Sequence, residues 1–384
     1  MTDKKVMKIC DLTYAYSRGG GITTYINNKK TVYKKRGIEH LIISPRKDGG
    51  QEVTLTQDGS TRVYLVPGRK LKLDKVDNFF YHSFKSLEDI LAKEKPDILE
   101  IGDSFTAAFY GKRLRRLSKS YGAKIFFFSH ERLDNFYQQI FPRGIQKLFG
   151  LFATWFLGRK IIAIADAIIA NSEFTAEEPR QKTKKPVLVL PLGIDLSGFS
   201  TAKDQNLCNQ LSNNGKKKII IHVGRLERDK KIDLLFDIAQ SLDHDKYQLV
   251  VLGDGLWQKK FSQLPGVTVT GFLPPATVRR YLVLADLGIL VNDIEPYGLV
   301  GLEMMAAGLP VLGPNQGGLP TFLRPEFAWL LPHQKQAYLE ALKKWETMSE
   351  GQKQQLSQAA LTEVKKYTLE KMVDQLLNIY QTYG

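Results

Sequence analysis

Two glutamates, Glu295 and Glu303, flank the sequence PYGLVGL in the last third of the chain. Glycoside hydrolases use a pair of carboxylates for catalysis. Glycines at the start of a helix instead suggest a site for phosphate. An apolar helix that contains one glutamate is also consistent with a core element. The sequence around the pair has to decide among these three interpretations.

The run DLGILVND before the pair is typical of a buried strand, and PYGLVGLEMMAAG has the composition of a helix that ends at Gly308. A strand, a glycine and a helix in this order place free amides at the carboxyl edge of a parallel sheet, where open α/β domains bind ligands. That position attracts anions. The amides belong to Gly298, Leu299 and Val300.

Glu303 lies inside this helix, where a phosphate would repel its carboxylate, so we expect it to bind neutral hydroxyls such as those of a ribose. Glu295 precedes the helix and is expected to accept hydrogen bonds from hydroxyls of the group beyond the phosphate. The alternative for an arbitrary pair of acids is that Glu303 caps a neighbouring element and Glu295 is solvated.

The sequence HVGRLERDKKIDLLFDIA supplies cations to the same region. A buried strand runs into a turn at Gly224, followed by Arg225, Lys230 and an amphipathic helix. A planar guanidinium and an ammonium at the mouth of one sheet suit a diphosphate. A solvated basic loop is the alternative.

A second glycine cluster, YSRGGGITTYINN, follows the first predicted strand and precedes a helix. Its backbone at Gly20 and Gly21 is expected to approach a phosphate closely from the first domain. The cluster does not fit GxGxxG, and an ordinary tight turn is the alternative.

Short apolar runs alternate with amphipathic segments along the chain, which predicts parallel sheets wrapped by helices. The strand candidates of the first half are VMKICDL, HLIISP, PDILEIG, KIFFFSH, AIIANS and VLVLPLG, and the rhythm restarts at KKKIIIHVGRL. We therefore predict an α/β protein with two doubly wound, Rossmann-like domains facing each other across a cleft. The predicted boundaries are 1–195, 196–365 and, for a final helix that either closes the second domain or packs back on the first, 366–384.

Composition excludes several classes of protein. The 384 residues are 43% hydrophobic, which argues for packed cores rather than disorder. Cys10 and Cys208 form no CxxC pair, so neither a disulfide framework nor a zinc site is supported. The first residues lack the pattern of a signal peptide, so a cytoplasmic location is expected. Most of the net charge of +15 falls in the first half, which is therefore expected to meet an anionic surface.

The motifs in this order resemble the retaining, nucleotide-sugar-dependent glycosyltransferases of family 4, which have the GT-B fold. The resemblance extends from the triple-glycine loop through ANSEFTAEE, PLGIDLSGF, GRLERDK and VLGDG to EPYGLVGLEMMAAGLPV. It implies that Arg225 and Lys230 stabilise the leaving diphosphate and that Glu295 and the helix amides hold the sugar and phosphate. It also implies that Glu303 binds the ribose. The base would lie near Gly253, Gly255, Phe272 and Leu273.

The resemblance extends to the segment FFFSHERLDNFY. In this family a histidine at the position of His130 contacts the donor sugar and the reacting centre, although a lone histidine is more often structural. SHERLD resembles bacterial members that use GDP-mannose to build mannosylated lipids, and this places Glu131, Arg132 and Asp134 on the acceptor side. GDP-mannose is the preferred donor, with a UDP-hexose as the alternative. Neither a cofactor nor a metal ion is expected.

Two segments of the basic first half favour peripheral attachment to an anionic membrane. One is FPRGIQKLFGLFATWFLGRK, which interleaves Phe149, Phe152, Trp155 and Phe156 with cations and is too short to span a bilayer. A buried helix and a solvated basic face are the alternatives. The other segment is a predicted helix with Lys112, Arg113, Arg115, Arg116 and Lys119.

Two rival functions follow from the same sequence. A nucleic-acid binder would explain the charge but leaves the glycine loops and the glutamate pair unexplained. A phosphorylase or a nucleotide-sugar epimerase would keep the fold with other chemistry. We therefore predict a retaining hexosyltransferase that acts on a membrane lipid or a surface-glycan precursor at the inner face of the membrane.

Overall fold

The computed structural model describes residues 7–18, 20–71, 78–134, 144–199 and 203–384. The chain divides into two compact units. Unit 1 contains Met1–Gly193 together with Leu369–Gly384, and unit 2 contains Ile194–Thr368.

Unit 1 is built on an eight-stranded sheet with the strand order β10-β9-β8-β7-β1-β2-β4-β3. Neighbouring strands are parallel except for the β3–β4 pair at one edge. The strands of unit 1 are β1 Lys8–Leu12, β2 Glu39–Pro45, β3 Thr54–Asp58, β4 Thr61–Val66, β5 Gly68–Leu71, β6 Asn78–Tyr81, β7 Ile98–Ile101, β8 Lys124–Ser129, β9 Ala167–Ala170 and β10 Val187–Val189. The helices of unit 1 are α1 Gly21–Arg36, α2 Phe84–Glu94, α3 Ser104–Tyr121, α4 Ile145–Ile164, α5 Glu173–Lys182 and α13 Leu369–Tyr383.

Unit 2 has a six-stranded parallel sheet with the order β13-β12-β11-β14-β15-β16. Its strands are β11 Lys218–Val223, β12 Tyr247–Leu252, β13 Val267–Gly271, β14 Leu287–Ile289, β15 Val311–Pro314 and β16 Ala328–Leu331. Its helices are α6 Gln205–Leu211, α7 Ile232–Ala239, α8 Gln258–Ser262, α9 Pro275–Leu282, α10 Leu299–Ala306, α11 Lys335–Glu346 and α12 Glu350–Val364.

The central strands are apolar on both faces because helices cover both sides of each sheet. β8, for example, is buried from its second residue onward. In each sheet the first strand along the chain lies in the interior, and the strand order reverses there. This strand is β1 in unit 1 and β11 in unit 2. The prediction of two doubly wound α/β domains is confirmed, and the reversal points mark the carboxyl edges where such domains bind ligands.

Two features of the fold were not anticipated. Residues 54–71 and 78–81 contain β3 to β6, which form two antiparallel pairs and were not among the predicted strands. The polar stretch before β11 contains α6, whose amino end is capped by Asp204 through a 3.1 Å bond from the Leu207 amide. An aspartate at the cap position was the signal for this helix.

The core of unit 1 contains a buried ionic cluster. Lys29 of α1 is fully buried and donates to Asp11 of β1 at 2.5 Å and to Glu100 of β7 at 2.7 Å. Tyr380 of α13 also donates to Glu100, which attaches the last helix to this core. A charge at this depth is tolerated only because each member is paired.

Candidate active site

The loops after β11 and β12 meet at the carboxyl edge of the unit 2 sheet. The Gly224 amide donates to the Leu252 carbonyl oxygen at 3.0 Å, and the Leu226 amide donates to the Asp254 backbone carbonyl oxygen at 2.7 Å. A Cβ atom on Gly253 would lie 1.9 Å from the Gly224 carbonyl oxygen. Glycine is therefore required at Gly253, because any side chain would separate the two loops.

The helix start predicted near Gly298 is present. Gly298 precedes α10 with φ +89°, and a Cβ there would lie 2.6 Å from Leu319. No side chain caps α10, and the amides of Leu299 and Val300 have no partner within the helix by its geometry. The first turn thus offers donors and the positive end of the helix dipole to an anion.

Glu295 and Lys230, which we assigned to different parts of the donor, contact each other directly. Lys230 Nζ lies 2.8 Å from Glu295 Oε2, and Asn292 Nδ2 donates to the same oxygen at 2.7 Å. Both charged side chains remain partly exposed. Asn292 was missed in the sequence, although its place directly after β14 is a signal for a functional loop.

Arg225 also has an internal partner. Its guanidinium donates to Asp229 Oδ2 at 2.6 Å, and the arginine side chain is 56% exposed. An exposed pair of this kind is weak, so an anionic ligand can compete for the guanidinium. Arg225 and Lys230, the two cations predicted to bind the diphosphate, are therefore each paired with a carboxylate.

Glu303 lies mostly inside the protein. Burial raises the pKa of its carboxyl group, and the nearby charge of Arg279 opposes that effect. Phe272, predicted to lie near the base, is 77% exposed directly after β13. Leu273 beside it is half-buried, and Gly255 passes close to the Leu226 carbonyl group.

His130 follows β8 at the carboxyl edge of the unit 1 sheet. The centroid of its ring lies 4.2 Å from that of Phe128, in a stacked arrangement, and 5.2 Å from that of Tyr25, in an edge-on arrangement. Burial, assisted by the charge of Lys29, lowers the pKa of His130 to about 3. Nε2 is buried, and the described residues offer it no hydrogen-bond partner. The imidazole is therefore neutral and carries one unsatisfied polar atom.

The triple-glycine loop opens α1, as expected. Gly20 precedes the helix with φ +92°, and its carbonyl group accepts from the Thr24 amide at 2.9 Å. A Cβ on Gly20 or Gly21 would meet no described atom within 4 Å. Space for a ligand therefore lies over this turn, and Gly19 is outside the described residues.

Two of the predicted acceptor-side residues, Arg132 and Asp134, contact each other directly. Arg132 donates to Asp134 at 2.6 Å and to Glu177 at 2.6 Å, and its guanidinium lies over Phe174. These partners raise the pKa of Arg132. The Glu131 carbonyl group accepts from Ser129. Arg132 is part of an ionic network after β8, and its place on the acceptor side stays a prediction.

The basic face of α3 is smaller than predicted. Arg115 makes a bidentate contact with Asp166, with both distances 2.6 Å, so its charge is neutralised within unit 1. The other four cations are exposed, and Arg113 lies over the ring of Phe84. The remaining basic face consists of Lys112, Arg113, Arg116 and Lys119.

The aromatic helix α4 is not buried, contrary to one of the alternatives left open. Phe152 is 60% exposed and Trp155 is 51% exposed, and Leu148, Leu151 and Phe156 are exposed beside them. Arg159 lies over Trp155 at 4.7 Å and Lys160 lies over Phe156 at 4.3 Å. The side chain of Phe149 lies outside the described part. Over the described ranges, no helix is both long and apolar enough to cross a bilayer.

α3 and α4 pack against each other. A Cβ on Gly111, near the middle of α3, would lie 2.7 Å from Ile164, the last residue of α4. The exposed rings Phe152, Trp155 and Phe156 lie in the preceding turns of α4.

Within the residues that the structure describes, no three carboxylate, histidine or cysteine side chains are grouped so as to bind a metal ion. Metal independence stays a prediction.

His222 of β11 makes the stability of unit 2 depend on pH. It is 5% exposed, Nδ1 lies 2.9 Å from the Ile289 carbonyl oxygen, and burial lowers its pKa from 6.5 to about 4. The unfolded chain therefore takes up a proton between these values, and stability falls as the pH falls through that window by up to about 1.4 kcal/mol per pH unit. Urea denaturation from pH 7 to pH 4 should show a smaller loss in His222→Phe. Parallel curves for the two proteins would contradict this.

Comparison with known proteins identifies the class of protein as a glycosyltransferase. Residues 19–197 match the model described as Glycosyltransferase Family 4, and residues 204–362 match the model described as Glycosyl transferases group 1. A sucrose-phosphate synthase from Thermosynechococcus elongatus superposes with a TM-score of 0.76 at 18% identity, covering 98% of both chains. The chain belongs to the glycosyltransferases with the GT-B fold.

Two curated relatives act on lipids according to their names. A GDP-mannose-dependent alpha-(1-6)-phosphatidylinositol dimannoside mannosyltransferase of Mycobacterium tuberculosis is 26% identical over 314 residues, 80% of this chain and 79% of the relative. An alpha-monoglucosyldiacylglycerol synthase of Streptococcus pneumoniae is 25% identical over 307 residues, 76% of this chain and 67% of the relative.

Proposed function

We propose that the protein is a retaining hexosyltransferase that transfers mannose from GDP-mannose to a membrane lipid or a surface-glycan precursor. The observation that carries the proposal is the group formed by Lys230, Glu295 and the start of α10, with Glu303 four residues into that helix. This group combines a cation, free amides and two hydroxyl acceptors at the ligand-binding edge of unit 2. The mannosyltransferase relative from Mycobacterium supports the choice of donor.

In the proposed reaction, the acceptor oxygen bonds to the anomeric carbon on the face from which the diphosphate departs. The bond between that carbon and the phosphate oxygen breaks, and the acceptor proton passes to a phosphate oxygen. Arg225, Lys230 and the α10 amides stabilise the charge on the leaving group. Lys230 can leave Glu295 for the phosphate, which frees the carboxylate to accept sugar hydroxyls.

The remaining site residues have supporting roles in this proposal. Glu303 binds the ribose, and the base lies near Gly253, Gly255, Phe272 and Leu273. His130 stays neutral at physiological pH, so it contributes a hydrogen bond to the donor sugar rather than a charge. His130→Ala is therefore expected to lower turnover more than donor affinity.

The acceptor is proposed to be presented by an anionic membrane surface. The exposed rings of α4 lie beside the cations Arg159 and Lys160 on the surface of unit 1. Aromatic side chains with adjacent cations suit the boundary between headgroups and acyl chains. The exposed α3 cations add electrostatic attraction.

A UDP-hexose is the second candidate donor, because the pneumococcal relative is named for a glucosyl lipid. Thermal shifts with GDP-mannose, UDP-glucose and UDP-galactose test both, since the ligand that binds the native state raises its melting temperature. The donor that shifts the transition is then supplied with lipid extracts, and NMR gives the anomeric configuration of the product. An inverted product, or transfer of no hexose from any donor, would overturn the proposal.

Replacing both exposed rings, Phe152→Ser with Trp155→Ser, is expected to weaken binding to anionic phospholipid vesicles by at least tenfold. Each buried ring contributes on the order of 1.5–3 kcal/mol when it leaves water. Cosedimentation measures the partition. Leu256→Ser is the control, because Leu256 is 75% exposed in unit 2. Unchanged binding in the double variant would remove α4 from the membrane proposal.

A further inference from the structure

Four aromatic rings form a cluster at the carboxyl edge of the unit 1 sheet, which we call the aromatic platform. Tyr14 follows β1, Phe80 lies in β6, and Phe105 and Phe109 lie one turn apart at the start of α3. Ring centroids are 5.1 Å apart for Tyr14 and Phe80, 5.1 Å for Phe80 and Phe105, and 6.3 Å for Phe105 and Phe109. The planes of the last pair differ by 10°, and Phe109 is 68% exposed.

Hydrogen bonds hold the platform in place. The carboxylate of Asp103 accepts from the Tyr14 amide at 3.0 Å and from the Thr106 amide at 2.7 Å, which joins the end of β1 to the start of α3. The Tyr110 hydroxyl donates to the Tyr81 carbonyl group at 3.0 Å, which joins α3 to β6. The rings are therefore fixed before any ligand arrives, which lowers the entropic cost of binding.

The platform begins beside His130. A Cβ on Gly102 would lie 3.7 Å from His130 Nε2 and 3.5 Å from Thr13 Cβ. Thr13 is followed by Tyr14, and Gly102 is followed by Asp103. A molecule bound beside His130 therefore lies close to the aromatic platform.

We propose that the aromatic platform binds a pyranose ring of the acceptor. One face of a pyranose presents polarised C–H groups, which suit the electron-rich face of an aromatic ring, while its hydroxyls point outward. The inference rests on the proposed transfer to a lipid or glycan acceptor and narrows its class. The acceptor already carries a sugar, so an earlier glycosyl transfer must supply it.

The aromatic platform suits a sugar better than a hydrocarbon chain. Its rings present flat faces, which match the C–H face of a pyranose. Asp103, Thr13 and Thr106 are buried and hydrogen-bonded within the protein, so they fix the platform rather than contact the ligand. The apolar surface that suits acyl chains lies on α4, where Phe152 and Trp155 are exposed.

Saturation-transfer NMR with octyl α-mannopyranoside tests the inference without any donor, so its result does not depend on the proposed transfer. We expect the strongest saturation at ring C–H protons and a threefold to tenfold weaker affinity in Phe109→Leu, which keeps an apolar side chain but removes the ring. Phe105→Leu should behave alike. Tyr383→Leu on α13 is the matched control, because this ring is 37% exposed in unit 1 away from the platform residues in sequence, and it should leave the ring signals unchanged.

Two results would overturn the inference. Saturation confined to the octyl chain, with octanol binding equally well, would make the platform a hydrocarbon site. Ring saturation that persists in both leucine variants would place the sugar elsewhere. The melting temperature of each variant verifies folding, and the exposure of Phe109 makes its variant the more tolerant of the two. Failure of transfer with all donors, alongside ring saturation at the platform, would refute the proposed function and leave this inference intact.

Discussion

Replacing Lys230 with alanine is expected to lower kcat for hexose transfer by about 10²- to 10³-fold. The lysine is proposed to meet the departing diphosphate, where charge develops in the transition state. Its loss also leaves the Glu295 carboxylate with the hydrogen bond from Asn292 but without its cation, so an uncompensated carboxylate would face the phosphate. Single-turnover kinetics with the donor that gives the largest thermal shift measures the effect on the chemical step.

Arg228→Ala is the matched control for this prediction. Arg228 belongs to the same 3-10 turn, Arg228–Lys230, carries the same charge and is exposed. The double variant Lys230→Ala with Glu295→Gln should recover part of the loss, because it removes the repulsion but does not restore the cation. Near wild-type turnover in Lys230→Ala, or an equal loss in Arg228→Ala, would sink the assignment of Lys230.

Glu303→Ala is expected to weaken donor binding by about ten- to a hundredfold with a smaller effect on kcat. A carboxylate that accepts two ribose hydroxyls contributes about 1.5–3 kcal/mol through charge-assisted hydrogen bonds, and the ribose lies away from the reacting carbon. Calorimetric titration with the nucleotide diphosphate alone measures this term. Glu340→Ala, an exposed position on α11, is the control.

The pH dependence of donor binding gives an independent check on Glu303. Because burial raises the pKa of this carboxyl group, the ionised acceptor is lost at a higher pH than for an exposed glutamate. Donor affinity should therefore decline as the pH is lowered towards that raised pKa, and Glu303→Gln should lack this decline. The same pH profile in both proteins would show that Glu303 does not bind the donor.

The local motifs were predictable because each lies on one continuous stretch of chain. The helix start at Gly298 follows directly from the strand, glycine and helix pattern around Glu295 and Glu303. The doubly wound fold followed from buried strands that alternate with amphipathic helices. Both inferences use interactions among neighbours in sequence, which periodicity and turn chemistry record.

Contacts between distant residues were not predictable in this way. Lys230 and Glu295 are 65 positions apart, and Arg115 and Asp166 are 51 apart. In the first pair two groups with separate predicted roles neutralise each other. In the second pair the charge of a predicted surface cation is neutralised by a carboxylate of the same unit. The choice of partner depends on strand order and helix packing, which a single sequence does not record.

The sequence by itself determined the family, the doubly wound fold and the helix start between Glu295 and Glu303, because these depend on short-range patterns that the chemistry of phosphate and strands imposes. The tertiary structure alone decided which charged and aromatic groups are available. It buried His130 as a neutral imidazole, exposed the rings of α4 and gathered Tyr14, Phe80 and Phe105 at one edge. Burial and proximity are properties of the packed chain, and they set both pKa and accessibility.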